Sequence, residues 1–171
     1  LSRKHSMIAD IHAGPAFDRE DYVGRVEQTL QDMVDVNTVR ADTMVDVTAD
    51  RVGLNGMAWM RDLKAKWRDR IDLRLAAYTP FGFDDAEPER WEIFVEGAKQ
   101  ADFIGCLPEA DDTHHYPSHI GFMEHCRRML ELSQTLGMML HVHTDQRFES
   151  SESGTEQLVE AVRRYGAPTS P

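Results

Sequence analysis

The short segment LHVHTDQ, which begins at Leu140, concentrates side chains that could do chemistry. His141, His143 and Asp145 alternate there with Leu140 and Val142. Because side chains alternate along a strand, the polar groups share one face and the apolar groups share the other. A neutral imidazole donates a lone pair to zinc or iron, so the segment is a candidate metal site. The H-x-H spacing also fits two hydrogen-bonded core histidines, and it leaves both interpretations open.

Two other histidine-containing segments are weaker candidates. The segment DDTHHYPSH places His114, His115 and His119 in a proline-containing loop. Flexible loop histidines bind metals loosely, so a solvated loop is the better interpretation. Near the start of the chain, MIADIHAG resembles a strand that ends in one histidine, His12. A paired metal motif would need two histidines there, so His12 carries little weight.

The composition fits a single globular domain over residues 1–171, with 41% apolar and 29% charged residues. With 19 basic against 30 acidic residues the formal charge is −11, which argues against nucleic acid and anionic membranes as partners. Cys106 and Cys126 are the two cysteines, and we expect them to be reduced and buried. The chain has neither a leader pattern nor a long apolar run. We therefore expect a soluble, cytoplasmic protein.

Apolar residues at spacings of three and four predict five helices. The first begins after Asp18 as its N-cap, and a capping-box sequence from Ser153 to Glu156 starts the last. The other three are expected at about Leu54 to Arg68, from Pro88, and from Ile120 to Leu136. Short apolar or β-branched segments predict four strands, at residues 38–47, 71–79, 102–107 and 138–144.

Strands that alternate with single helices imply parallel pairing with right-handed crossovers. Two α/β architectures fit: an open doubly wound sheet, or part of a (β/α)8 TIM barrel. A complete barrel needs about 250 residues, so this chain would hold about half of one. No glycine-rich phosphate motif follows any strand, which removes the usual functional reason for the open sheet.

In either architecture the functional residues belong at the carboxyl ends of the strands. We call this edge, with the loops that follow the strands, the rim. The residues predicted to lie there are Asp46, Thr79, Glu109 with Asp111 and Asp112, and the segment from His141 to Gln146.

Four segments in register carry a resemblance to a known family. TVRADTMVDV, WRDRIDLRLAAYTPFG, ADFIGCLPEAD and LHVHTDQ resemble the central part of cytosine deaminase-like amidohydrolases, from about Asp18 to Gly166. The resemblance implies a metal-dependent (β/α)8 hydrolase that acts on non-peptide C–N bonds of small cyclic compounds. The chain would supply strands two to five of that barrel with their flanking helices, and its partner would be a small nitrogen heterocycle or amide.

The resemblance also implies roles for residues at the end of the last strand. His143 matches the histidine that ligates the catalytic zinc or iron, and such a metal lowers the pKa of bound water. Asp145 matches an acidic position beside that ligand. The family's proton-shuttling glutamate falls on Gln146, and an amide exchanges hydrogen bonds but does not titrate. The predicted metal ligand is therefore His143, and the predicted catalytic positions are Asp145 and Gln146.

Several positions depart from the family pattern. Met44 stands in place of a strand-two histidine, Pro80 in place of the substrate-reading glutamine, and Glu109 in place of the histidine that follows Ile-Pro. These departures argue against cytosine itself as the substrate. The predicted substrate-binding residues are Asp46, Thr79, Pro80 and Glu109. The family's paired first-strand histidines and its later histidine and aspartate ligands are not found in the sequence.

Two functional alternatives stay open. The leading one is a diverged amidohydrolase. The second is a catalytically inactive relative or fragment with a structural or binding role, which Gln146 and the missing ligands favour and His143 and Asp145 oppose. An unrelated open-sheet binding domain is a third. A half barrel would expose unpaired strand edges, so we also expect a homo-oligomer.

Overall fold

The computed structural model describes residues 2–146 and 149–167, so the ends of the predicted domain, at residues 1 and 168–171, lie outside the described residues. The helices are α1 (Ser2–Ala13), α2 (Arg19–Asp35), α3 (Asn55–Trp67), α4 (Glu89–Ala98), α5 (Phe122–Leu136) and α6 (Gly154–Tyr165). The strands are β1 (Arg40–Asp46), β2 (Asp72–Tyr78), β3 (Phe103–Cys106) and β4 (Leu140–Val142), and 3-10 helices cover Pro15–Phe17 and Pro108–Asp111.

The four predicted strands and five predicted helices are confirmed, with bounds that move by a few residues. The strand-like interpretation of MIADIHAG is wrong, because this segment lies in α1 up to Ala13. Ile8 and His12 are four residues apart and so share one face of that helix. A helical spacing was therefore present in the sequence, and His12 lies near the end of a helix.

All four strands are parallel, and they neighbour one another in chain order, β1-β2-β3-β4. The register pairs Asp46 with Tyr78 and Gly105 with His141. A doubly wound sheet would reverse its strand order part-way along the chain. The observed order therefore excludes that alternative and agrees with a section of a barrel.

The core lies on one face of the sheet. Val45, Leu75 and Ile104 are buried there with helix residues that include Leu63 and Met129. Leu140 and Val142 pack against the same core, as the alternation predicted. The opposite face therefore carries His141 and His143, with His141 exposed.

A close approach on that opposite face requires a glycine. A Cβ at Gly105 would lie 2.6 Å from Met44 Sδ and 3.1 Å from Tyr78 Cδ2. Both distances are shorter than ordinary van der Waals contact, so a larger residue in the middle of β3 would displace its neighbours. The side chain of Met44 is thus part of a packed layer.

Both cysteines are free and buried, as expected. Burial raises the pKa of the Cys106 thiol well above its ordinary value and raises the pKa of Cys126 to about 12. No helix in the described part of the chain combines the length and the apolar character needed to span a membrane.

Candidate functional site

The predicted site residues all lie on the rim. Asp46 is the last residue of β1, and Thr79 and Pro80 directly follow β2. Glu109 lies in the 3-10 helix after β3, and His143 begins the loop after β4. Parallel strands end at the same edge of a sheet, which is why positions distant in sequence converge here.

Glu109 joins the ends of β3 and β4. Its carboxylate accepts hydrogen bonds from the backbone N–H of Asp145, 36 residues further along the chain, and from the N–H of Gln146 at 3.3 Å. Glu109 is only 5% exposed. Burial raises its pKa, and the two N–H donors partly offset that effect. The residue predicted to touch substrate thus already binds the backbone of two neighbouring site residues.

The carboxylate of Asp145 caps the amino-terminal end of helix α6. This carboxylate accepts hydrogen bonds from the N–H groups of Gly154 at 2.7 Å and Thr155 at 3.0 Å, and from the Thr155 hydroxyl. The hydroxyl of Thr155 is the main cause that lowers the pKa of Asp145. Anionic groups are stabilised at the positive end of a helix. Asp145 therefore holds the loop after β4 against α6.

The predicted capping box at the start of α6 is wrong. Ser153 occupies the N-cap position, but its side chain makes no cap hydrogen bond. Instead it accepts a hydrogen bond from the Gln157 amide at 3.2 Å. A carboxylate brings a full negative charge to the helix end and a hydroxyl does not, so Asp145 takes the place that local sequence assigned to Ser153. The N-cap position of α2 is Asp18 as predicted, although its carboxylate binds Arg51 at 2.7 Å.

His143 lies at the rim on the face of the sheet opposite the core. Its backbone N–H donates to the Cys106 carbonyl at 2.9 Å, and its ring centroid lies 5.1 Å from that of His141 and 6.3 Å from that of Tyr78. Imidazole suits zinc and iron. The ring therefore fits the role of one metal ligand.

A complete set of ligands around His143 is not present in residues 2–146 and 149–167. The one group of three or more potential ligands found in that part of the chain is Glu109, Asp145 and Glu152, whose oxygens lie within 4.8 Å of one another. Glu109 and Asp145 are already bound to backbone N–H groups, which compensate their charge. The described residues thus contain no complete set of metal ligands around His143.

His12 lies at the rim and binds two site carboxylates, although its place in the chain gave little indication of this. It is 1% exposed; its Nε2 lies 3.0 Å from Asp46 Oδ2 and its Nδ1 lies 2.6 Å from Asp50 Oδ2. A neutral imidazole has one N–H, so two contacts with carboxylates indicate the doubly protonated ring. Burial lowers the pKa of His12, but the hydrogen bonds to Asp46 and Asp50 outweigh burial and raise it. One oxygen of Asp46 is therefore committed to α1.

A cavity of about 430 Å³ opens beside His12 at the ends of β1 and β2. Thr79 lines it together with Thr48 and Phe81. The Thr79 hydroxyl oxygen accepts a weak hydrogen bond from the Phe81 N–H at 3.4 Å. Thr79 is thus placed where a small molecule could reach it, and the neighbouring Pro80 is buried.

Asp111 ties three rim segments together. It is fully buried and accepts hydrogen bonds from the Phe83 N–H at 2.7 Å and from Nδ1 of His119 at 2.9 Å and His125 at 2.6 Å. Burial raises the pKa of Asp111, but these hydrogen bonds lower it further than burial raises it. The loop histidines therefore differ, because His119 joins this network while His114 and His115 are exposed.

Comparison with known proteins supports the fold. No family model matches the chain. An uncharacterized protein of Haemophilus influenzae is 28% identical over 168 residues, which is 97% of this chain and 57% of that protein. This chain thus spans a little over half the length of the curated relative that it matches.

Two solved enzymes share the architecture. The 5-methylcytosine deaminase of Klebsiella pneumoniae, liganded with phosphonocytosine, superposes with a TM-score of 0.73 at 24% identity, over 87% of this chain and 35% of the enzyme. The N-isopropylammelide isopropylaminohydrolase of Burkholderia multivorans superposes with a TM-score of 0.58 at 20% identity, over 77% of this chain and 31% of the enzyme. The chain thus shares the fold of part of each of these two enzymes.

Proposed function

We propose that the protein is a metal-dependent hydrolase of non-peptide C–N bonds in small cyclic compounds, with His143 as one ligand of a zinc or iron ion. The observation that carries this proposal is the position of His143. It follows the end of β4 on the face of the sheet opposite the core. The fold around it superposes on part of a 5-methylcytosine deaminase.

The bound metal would supply hydroxide near neutral pH. The described residues would act around it by binding and orienting. The amide of Gln146 both donates and accepts hydrogen bonds, so we assign it to orient substrate or water without transferring a proton. Asp145 would support catalysis by fixing the strand end to α6, since its carboxylate is bound to Gly154 and Thr155.

The proposed substrate is a nitrogen heterocycle or cyclic amide other than cytosine. The solved relatives are a deaminase bound to a cytosine analogue and an alkylaminohydrolase. Four positions of this chain depart from the cytosine deaminase pattern: Met44, Pro80, Glu109 and Gln146. Asp46 and Thr79 are the proposed substrate contacts, because both lie at strand ends and Thr79 lines the 430 Å³ cavity.

A non-enzymatic relative is the second candidate function, and one observation favours it. Gln146 removes the titratable group that would move protons between water and leaving group. A protein of this kind would bind the same class of small molecule without turnover. Cytoplasmic location and homo-oligomerisation complete the proposal, the latter because β1 and β4 form the edges of the described sheet.

Metal analysis of the full-length protein tests the proposal. We expect elemental analysis to find zinc or iron in the parent protein and to find that His143→Ala loses most of it. His141→Ala is the matched control, because His141 lies two residues earlier on the same face, and it should keep its metal. Full metal content in folded His143→Ala would show that His143 is not a ligand.

A hydrolysis screen separates the two candidate functions. The parent protein would be incubated with cyclic ureas, amides and amino-substituted heterocycles, and release of ammonia or amine would be measured. Turnover that His143→Ala abolishes supports the enzyme. Binding of the same compounds without turnover, detected by calorimetry, supports the non-enzymatic relative.

A further inference from the structure

The backbone after β4 forms an anion-binding turn. Asp145 has a φ of 58°, a left-handed conformation that is uncommon for residues other than glycine. Successive N–H groups around such a residue point into a shared concavity that binds anions. The N–H groups of Asp145 and Gln146 both donate to the Glu109 carboxylate. The chain thus fills its own anion site with a side chain from another loop.

The side chain of Asp145 turns away from this concavity. It caps α6 through Gly154 and Thr155, which leaves its own N–H for Glu109. Space at the junction is tight, because a Cβ at Gly154 would lie 3.0 Å from Glu109 Oε1 and 3.1 Å from Asp145 Oδ1. The turn therefore binds the carboxylate of Glu109, and the start of α6 binds the carboxylate of Asp145.

The loop that carries Glu109 is itself fixed to the core. Asp111, in the same 3-10 helix, binds His125 of α5 and the N–H of Phe83 after β2. Glu109 is buried as well. A carboxylate on so constrained a segment can fix the position of a loop whose backbone it binds, and here that loop runs from His143 to Gln146.

We propose that Glu109 is a positioning residue whose carboxylate fills the backbone anion site of Asp145 and Gln146 and thereby presents His143 and Gln146 at the rim. The importance of this placement for activity rests on the proposed function. The placement itself does not, because it follows from the contacts of Glu109. The nearby Glu152 does not share this role, since its carboxylate accepts from the N–H of Glu149 at 3.1 Å.

Hydrogen exchange in the full-length protein tests the assignment. In Glu109→Ala we expect the backbone amides of Asp145 and Gln146 to exchange about tenfold faster or more, because their hydrogen bonds to a charged group are lost. Formate added at high concentration should restore protection, since its carboxylate fits the vacated concavity. Sodium chloride at the same ionic strength should not restore it.

Glu152→Ala is the matched control. Glu152 lines the same cavity as Glu109, a space of about 190 Å³, but has a different backbone partner. Its removal should leave exchange at Asp145 and Gln146 unchanged. Equal effects of the two alanine variants, or no change in Glu109→Ala, would overturn the assignment.

A second variant covers the case in which Glu109→Ala fails to fold. Glu109→Gln keeps the shape but replaces one acceptor oxygen by a donor, so it should show intermediate exchange without unfolding. Parent-like exchange in folded Glu109→Gln would contradict the proposal. A carboxylate cluster that holds a cation is a further outcome: zinc that protects the parent loop, with no rescue of Glu109→Ala by formate, would replace our assignment.

The readouts also separate this inference from the proposed function. Exchange and formate rescue report the loop whether or not metal is bound. If formate restores protection while metal analysis finds no metal in the parent, the positioning role stands and the hydrolase proposal fails. If metal content depends on His143 but hydrogen exchange is unchanged in Glu109→Ala, the metal-site proposal stands and the positioning role of Glu109 fails.

Discussion

His12 and Asp46 are 34 residues apart in the chain, yet His12 Nε2 lies 3.0 Å from Asp46 Oδ2 at the end of β1. The other ring nitrogen binds Asp50. This pair of contacts attaches α1 to the rim, with the His12 ring 5.3 Å from the ring of Phe81 after β2. A helix that sequence reasoning missed is therefore attached beside the candidate site by a charged histidine.

The first prediction concerns the pH dependence of this attachment. The folded-state pKa of His12 is raised above an ordinary value of about 6.5. Its contribution to stability is therefore fully present below about pH 6.5 and is lost as pH rises through the raised pKa. Urea unfolding of the full-length protein at a series of pH values should show the loss. Because the pKa of His119 is raised as well, the informative quantity is the difference between the parent and His12→Gln.

That difference should be about 1.5–3 kcal/mol in the free energy of unfolding at low pH, the range for a hydrogen bond to a charged group, and should shrink as pH rises. A difference that stays constant with pH would show that His12 is not charged. His114→Gln, a change in an exposed loop histidine, should leave the pH profile of the parent unchanged.

The second prediction concerns the start of α6. Asp145→Ala removes the carboxylate that binds Gly154 and Thr155, so it should lower the free energy of unfolding through loss of an N-terminal cap. Ser153→Ala should cost much less, because Ser153 makes no cap hydrogen bond. Chemical denaturation of both variants measures the two costs. A larger cost for Ser153→Ala would reverse our assignment of the cap.

The third prediction concerns packing on the face of the sheet opposite the core. Gly105→Ala places a Cβ 2.6 Å from Met44 Sδ, and overpacking of this kind costs about 1–3 kcal/mol. The matched control is Gly24→Ala in α2, where a Cβ meets nothing within 4 Å. It should stabilise the protein by about 0.5–1 kcal/mol. Thermal unfolding of the two variants should therefore shift in opposite directions.

A smaller residue at position 44 should relieve the Gly105→Ala variant. In Met44→Ala/Gly105→Ala the added methyl group no longer meets the sulfur, so the double variant should lose less stability than the sum of the single changes. Strict additivity would place the strain of Gly105→Ala elsewhere, at Tyr78 for example.

The fourth prediction concerns Gln146. Gln146→Glu places a titratable group in the loop that follows His143, so in the full-length protein it should add deaminase activity or give the pH–rate profile an additional limb. Gln28→Glu in the exposed part of α2 adds the same charge far from the rim and should change neither. An unaltered profile in folded, metal-containing Gln146→Glu would show that this position does not reach the reacting atoms.

The strands and the faces of their side chains could be predicted from the sequence because the relevant signals are local. The alternation of Leu140, His141, Val142 and His143 fixes which face each side chain takes, and the structure agrees. The regular spacing of strands and helices predicted parallel pairing but left two architectures open, and the missing glycine-rich phosphate motif and the family resemblance favoured the order of a barrel. Gly137 ends α5 with a φ of 65°, where the sequence predicted a stop.

The contacts of the site depend on pairs of residues that are far apart in the chain. Glu109 reaches Asp145 across 36 residues, and His12 reaches Asp46 across 34. No spacing rule connects such positions, since only the folded sheet brings them together. Ser153 shows the reverse case, in which the local motif predicts a cap but the Asp145 carboxylate makes the hydrogen bonds to the helix end. A single sequence supplies the candidates for a site but not the competition among them.

The two buried cysteines make it possible to follow unfolding of the core by thiol labelling. A thiol reacts as the thiolate, and burial both shields Cys106 and Cys126 and holds their pKa values high. An alkylating reagent therefore modifies them only in molecules whose core has come apart. Because Cys106 lies in β3 and Cys126 in α5, the order in which they become labelled would tell whether sheet and helix layer separate together or in turn.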